Sequence, residues 1–253
     1  MQITTANVEL TIDGFPCRTY VAAPKPAQSG AKYPGVVLYS EIFQLTAPIC
    51  RAAHRLAGHG FVVAAPEIFY RQCAPGLVIP YDDPGRMQGM YLARNTRVAH
   101  FDATAAAAFA HLASRADVKH DASGPSLGAI GFCIGGHLAL RAALDPRCRA
   151  AVCAYPTGVH NGNLGSESDA GTLARLAEIR AELLLVFGDA DPHVPEPARK
   201  VIRSALQASG VRHVFLELPG EHAFMRDEGP RYDPELADRV FAEAIALYRR
   251  TLG

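Results

Sequence analysis

The chain has 253 residues, with 25 Lys and Arg against 25 Asp and Glu, so its formal net charge is zero. A content of 49% hydrophobic and 20% charged residues is too apolar, and the charge too balanced, for an intrinsically disordered chain. The balance also leaves no basic surplus for gripping phosphate, so nucleic acid is not expected as a partner.

The elements are read here in chain order. Val8 to Ile12 and Cys17 to Ala22 flank Asp13-Gly14, the signal of a tight hairpin. Gly35 to Tyr39 reads as a buried strand, Ala47 to Gly58 as a helix closing in glycine, and Phe61 to Ala65 as the next strand. Residues 66 to 92 are rich in Pro and Gly and show no period, and are expected to form an irregular excursion over the active face. Arg97 to Ser114 is Ala-rich and helical. Leu127 to Phe132 is a strand, followed by a helix over Ile134 to Leu144 and a strand over Ala150 to Tyr155. A helix is expected over Leu173 to Arg180 and a strand over Leu183 to Phe187. A helix over Pro195 to Ser209, a strand over Val211 to Leu218 and an amphipathic helix over Pro234 to Leu252 complete the chain. This alternation predicts a mostly parallel sheet with helices on both faces and an antiparallel hairpin at one edge. With no repeat and no linker, residues 1–253 are expected to form a single α/β domain large enough to bury its own core.

Six cysteines are present, none in a C-x-x-C pair, and no Cys/His spacing matches a zinc site. The first residues lack a basic region followed by an apolar run, so no signal peptide is expected. The longest apolar stretch, Leu127 to Leu144, is interrupted by His137 and Arg141 and makes a poor membrane span. The expectation is a cytoplasmic protein with reduced thiols, monomeric and without a membrane partner.

The strongest local signal is Gly131-Phe-Cys133-Ile-Gly135-Gly136 between a strand and a helix. It has the form of a nucleophile elbow with cysteine in the serine position. Glycines two residues either side allow the sharp turn, and the helix N-terminus favours a thiolate. Dinucleotide and phosphate loops need G-x-G-x-x-G or Gly-Lys-Ser/Thr, which are absent here. A cysteine nucleophile needs a base, and the base an orienting acid; on such a fold their chain order is nucleophile, acid, histidine. Asp189 and Asp191 follow one late strand and His222 follows the next, at the strand ends where open α/β sheets bind ligands. Either Asp fits this order. His54, His59, His120 and His213 are read as structural, and His137 as packing.

Together, Glu41-Ile-Phe43, Pro66 to Gln72, Gly131 to Gly136, Asp191 to Pro195 and Gly220 to Arg226 make the sequence resemble the dienelactone hydrolase family, or carboxymethylenebutenolidases, a cysteine-using branch of the α/β-hydrolases. The resemblance spans roughly residues 35 to 250. It implies an α/β-hydrolase fold, with Cys133 as nucleophile, His222 as base and Asp191, rather than Asp189, as acid, because the family's acid stands two residues before Val-Pro. Glu41 matches a glutamate that lies near the thiol in relatives and helps generate thiolate as substrate binds. The oxyanion hole is expected from the backbone N–H groups of Ile42 and Ile134. Relatives that take dienelactone hold its carboxylate with arginines: Arg226 matches one, while the other falls at Gln88, with Arg86 two residues away and Tyr91 matching a nearby tyrosine. The resemblance thus implies a cysteine-dependent hydrolase of an ester or enol-lactone, most simply a dienelactone-like small molecule, needing no metal or organic cofactor. The alternatives are a broad-specificity carboxylesterase for small esters, a non-catalytic binding protein, and a thiol-redox protein, which would need a resolving cysteine near Cys133, whereas the nearby Cys148 and Cys153 are read as interior strand residues.

Overall fold

The computed structural model describes residues 1–25 and 30–253. Strands β1 (Ile3–Ile12) and β2 (Phe15–Pro24) form the expected antiparallel hairpin. Asp13 and Gly14 turn it with φ of 51° and 79°, the positive values that a two-residue hairpin turn needs to match strand twist. There follow β3 (Gly35–Tyr39), α1 (Ala47–Gly58), β4 (Val62–Pro66), α2 (Asp83–Arg94), α3 (Val98–Ser114) and a short ribbon of β5 (His120–Asp121) and β6 (Gly124–Pro125). The second half contains β7 (Leu127–Phe132), α4 (Ile134–Ala142), β8 (Cys148–Ala154), β9 (Glu182–Gly188), α5 (Glu196–Ser209), β10 (His213–Leu218) and α6 (Pro234–Leu252).

Eight strands form one sheet in the order β1-β2-β4-β3-β7-β8-β9-β10. The six strands from β4 to β10 in that order are parallel, and β2 is antiparallel to both of its neighbours. The central parallel strands β3, β4 and β7 are continuous apolar runs because both of their faces are covered. Successive side chains enter opposite cores. Val37, Tyr39, Ala129, Cys153 and Leu185 pack with α3, α4 and α5, whereas Val36, Leu38, Ile130, Val152 and Leu184 pack with α1 and α6. Among the described residues, no helix is long and apolar enough to cross a membrane.

Two expectations are corrected. Residues 66–92 are not irregular throughout, since α2 occupies their second half. Asp82 caps this helix by accepting a hydrogen bond from the Gly85 amide at 2.7 Å. Its period is masked by Gly85 and Gly89, which face inward. Tertiary packing explains the second glycine: a Cβ on Gly89 would lie 2.6 Å from the Ile42 carbonyl oxygen. The other correction is at Leu173 to Arg180, where a 3-10 turn spans Leu173–Glu178 and Ile179 is already extended at ψ 124°. The backbone straightens there to enter β9. Elsewhere the boundaries move by a few residues.

The approach at Gly89 joins α2 to the loop after β3. Gly89→Ala is expected to lower stability by about 1–3 kcal/mol through overpacking, read from urea denaturation. An unchanged midpoint would show that α2 yields freely at this point.

Candidate active site

Loops at the C-terminal ends of all six parallel strands meet over one cavity of about 700 Å³. Cys133 stands at its floor, between β7 and α4, with φ 59° and ψ −121°. This region is costly for a residue with a Cβ. The surrounding glycines make it possible. A Cβ on Gly131 would collide with the Gly135 carbonyl, and one on Gly136 would lie 2.7 Å from the Ala154 oxygen. The elbow is also clamped by hydrogen bonds. The Cys133 amide donates to Ala154 at 3.1 Å, and its carbonyl accepts from Gly136 at 3.0 Å and Thr157 at 3.3 Å.

The structure brings Asp191 and His222 together and leaves Asp189 exposed. His222 Nδ1 lies 2.7 Å from Asp191 Oδ2, and Asp191 Oδ1 accepts from the His193 and Val194 amides at 2.7 and 3.3 Å. Burial alone would raise the Asp191 carboxyl, but the hydrogen bond and charge of His222 and the His193 amide outweigh it and hold the group low. Burial opposes charge on His222. The charges of Cys133 and Asp191, and hydrogen bonds to both, prevail and push it up to about 10. Tyr155 and His193 wall the imidazole edge-on, with ring centroids 5.1 and 4.6 Å away.

Glu41, on the loop after β3, is buried and meets Arg226 Nη1 at 3.3 Å. Its carboxyl is pushed up by burial, with Arg226 and His222 opposing. Arg226 lies over the Tyr81 ring at 4.3 Å and is farther from Phe43, at 5.6 Å, contacts that stabilise a desolvated guanidinium by about 0.5–2 kcal/mol. Glu41 and Arg226 also line a smaller cavity of about 110 Å³ beside Tyr155 and Phe132. Ile42 and Ile134 both line the large cavity. The Ile134 amide is the first of α4, so no carbonyl one turn earlier can take its hydrogen.

Arg86 reaches the cavity from α2, held loosely by Asp83 at 3.5 Å. Tyr91 does not reach it: this residue lies on the outer side of α2 and is 66% exposed. Tyr81, just before α2, supplies the aromatic wall instead. Sequence reasoning also passed over Thr157, His193 and Arg231, which line the cavity. Only His193 carried a usable signal, its place within the Asp191 to Pro195 segment. Cys148 and Cys153 are buried in β8, and burial pushes the Cys148 thiol up to about 12 and Cys153 higher still, so neither resembles a reactive resolving thiol.

The family model described as the dienelactone hydrolase family matches residues 17–252. The chain belongs to this family. Among related sequences, a Saccharomyces cerevisiae protein is 38% identical over 246 residues, 94% of this chain and 88% of its own. A Pseudomonas putida protein named carboxymethylenebutenolidase is 26% identical over 221 residues, 87% of this chain and 85% of its own. Among solved structures, that of a dienelactone hydrolase-like promiscuous phosphotriesterase, P91, from metagenomic libraries superposes with a TM-score of 0.77 at 25% identity, covering both chains fully. The fold is that of the α/β-hydrolases, and this dienelactone hydrolase family member is a hydrolase acting on esters.

The electrostatics of His222 are measurable. Because its folded value of about 10 exceeds the ordinary 6.5, its charge contributes stability that is complete below pH 6.5 and is lost as pH rises through about 10. An NMR titration of the His222 ring is expected to show the raised midpoint, lowered in both Cys133→Ala and Asp191→Asn. A midpoint unmoved in both variants would contradict this origin of the shift.

Proposed function

We propose that the protein is a cysteine-dependent hydrolase of a dienelactone-like ester or lactone, working through Cys133, Asp191 and His222. The observation that carries this reading is the 2.7 Å contact of Asp191 with His222, beside a cysteine whose charge helps to keep that imidazole protonated. An acid, a base and a thiol in this relation have the logic of a nucleophilic triad.

In this mechanism the Cys133 thiolate attacks the substrate carbonyl carbon. The carbonyl oxygen becomes an oxyanion facing the amides of Ile42 and Ile134. Collapse forms a thioester and expels an alkoxide or enolate, which takes the proton of the His222 imidazolium. His222, now neutral, removes a proton from water, and the hydroxide formed attacks the thioester. The acid leaves, and the thiolate and imidazolium are restored. Asp191 keeps the His222 ring in one orientation throughout.

Glu41 has a positioning role here. A carboxylate beside a thiolate is a like-charge pair, and the Arg226 contact keeps Glu41 turned toward a cation. An anionic substrate that engages Arg226 competes for that contact and changes the charge facing the sulfur. Arg86 is the candidate for a second contact to the substrate anion, and Arg231 lines the same cavity. Tyr91 takes no part, and the aromatic wall is Tyr81.

Cys133→Ala and His222→Ala are each expected to reduce p-nitrophenyl acetate turnover by about 10³-fold or more. Unchanged turnover in Cys133→Ala would overturn the nucleophile assignment. For the substrate class, kcat/KM on cis- and trans-dienelactone is compared with that on neutral esters. Arg226→Ala is expected to lower the anionic lactones selectively by roughly 10–100-fold, the value of a charge-assisted hydrogen bond. An equal loss on neutral esters would remove the carboxylate contact and favour a general small-ester hydrolase.

A further inference from the structure

A chain of polar side chains, with Arg141, Thr172 and His137 buried at its centre, runs from the back of α4 to the Cys133 sulfur. Arg141 is buried and donates to both oxygens of Asp102, at 2.8 and 2.6 Å. It also donates from Nη1 to the Thr172 hydroxyl at 3.0 Å. That hydroxyl lies 2.8 Å from His137 Nε2, and His137 Nδ1 lies 3.0 Å from the Thr157 carbonyl. Thr157 Oγ1 in turn lies 3.9 Å from Cys133 Sγ, which also meets His222.

The direction of every hydrogen in this chain is set by the groups at its ends. A carbonyl only accepts, so His137 Nδ1 carries a hydrogen and donates to Thr157. Burial, helped by the Arg141 charge, pushes His137 down to about 3 despite the Thr157 bond. The ring is therefore neutral, and its Nε2 is an acceptor. Thr172 then donates to Nε2 while accepting from Arg141. His137, one helical turn past the nucleophile, is thus held in a single tautomer by Thr157, Thr172 and Arg141, of which only Thr157 lines the large cavity. Arg141, His137 and Thr172 are costly groups to bury, and the chain they form ends on the Thr157 peptide.

That peptide is held at both ends, its carbonyl by His137 and its amide by the Cys133 carbonyl. The β-branched side chain has few χ1 states, so its hydroxyl is confined beside the sulfur. A thiolate only accepts, which leaves Thr157 as the donor. We propose that Thr157 is a positioning residue that orients and stabilises the Cys133 thiolate through its hydroxyl, held in place by the Asp102–Arg141–Thr172–His137 chain. The proposal rests on the reading of Cys133 as nucleophile. The other titratable or charged groups facing the sulfur are His222 from the loop after β10, Tyr155 from the loop after β8, and Glu41 with Arg226 across the cavity. Thr157→Val changes none of them.

The test is the pH dependence of Cys133 alkylation by iodoacetamide, with the labelled peptide identified by mass spectrometry. Thr157→Val keeps the shape and removes the donor, and is expected to raise the alkylation midpoint by about one pH unit. It should also lower kcat for p-nitrophenyl acetate roughly tenfold with little change in KM. Thr157→Ser is expected to return both toward the parent protein. Thr172→Val, which strips His137 of its Nε2 donor, is expected to shift the midpoint in the same direction by less, and it carries the test if Thr157→Val does not fold. A midpoint in either valine variant that superimposes on the parent's would overturn the proposal. If Cys133→Ala is inactive while the Thr157→Val profile is unmoved, this inference alone fails. If Cys133→Ala retains turnover, the nucleophile reading fails with it.

Discussion

Cys133 holds a backbone conformation that an L-residue avoids, and much of the site follows from that constraint. At φ 59° and ψ −121° the side chain is lifted off the end of β7, but the chain relaxes unless it is held from several sides. Gly131, Gly135 and Gly136 let β7, α4 and the ends of β3 and β8 approach within distances that a methyl group would forbid. The Ala154, Gly136 and Thr157 backbones then fix the Cys133 peptide by hydrogen bonds. Strain at this one residue is thus balanced by close packing of four elements. The pattern extends round the cavity. Of the five non-glycine residues with positive φ among the described residues, four (Gln44, Cys133, Tyr155 and Ala223) lie in the loops after β3, β7, β8 and β10. The fifth turns the N-terminal hairpin.

The parallel sheet supplies the rigidity that these loops lack. Its central strands are buried on both faces, so their C-terminal ends are fixed relative to one another. Residues far apart in the chain then meet with hydrogen-bond accuracy. The site also gathers charges that the interior would reject singly. Asp191 is paired with His222, and Glu41 with Arg226. Each pair offsets part of the desolvation that its members incur. The zero net charge of the chain excludes long-range steering by a strongly charged molecule, yet the cavity wall carries Arg86, Arg94, Arg226 and Arg231 against Glu41, Asp82 and Asp83, so guanidinium groups are at hand for a local contact.

Much of the architecture was legible in the residues, because the central parallel strands are continuous apolar runs separated from one another by helical stretches. Helix α2 was hidden because the glycines that break its pattern serve tertiary packing against Pro80 and Ile42. The same gap misdirected Tyr91: placed in an irregular segment, it was free to face the cavity, whereas on a helix it points outward. Asp189 and Asp191 both follow β9 and differ only in burial, which local sequence does not record. Glu41 and Arg226 are 185 positions apart, so their pairing has no local signature. His137 was read as packing. Its partners, Thr157 and Thr172, lie 20 and 35 positions later, and only the folded chain reveals it as a hydrogen-bonded link.

In the proposed mechanism an acyl group resides transiently on the sulfur of Cys133. The most direct test mixes the protein with excess p-nitrophenyl acetate, quenches in acid within the first turnover, and locates added mass by peptide mass spectrometry. The account predicts an acetyl group on the peptide containing Cys133, formed with the first release of nitrophenolate and removed by hydroxylamine. Steady turnover with the acetyl group on another residue, or with no acylated residue at any quench time, would contradict it.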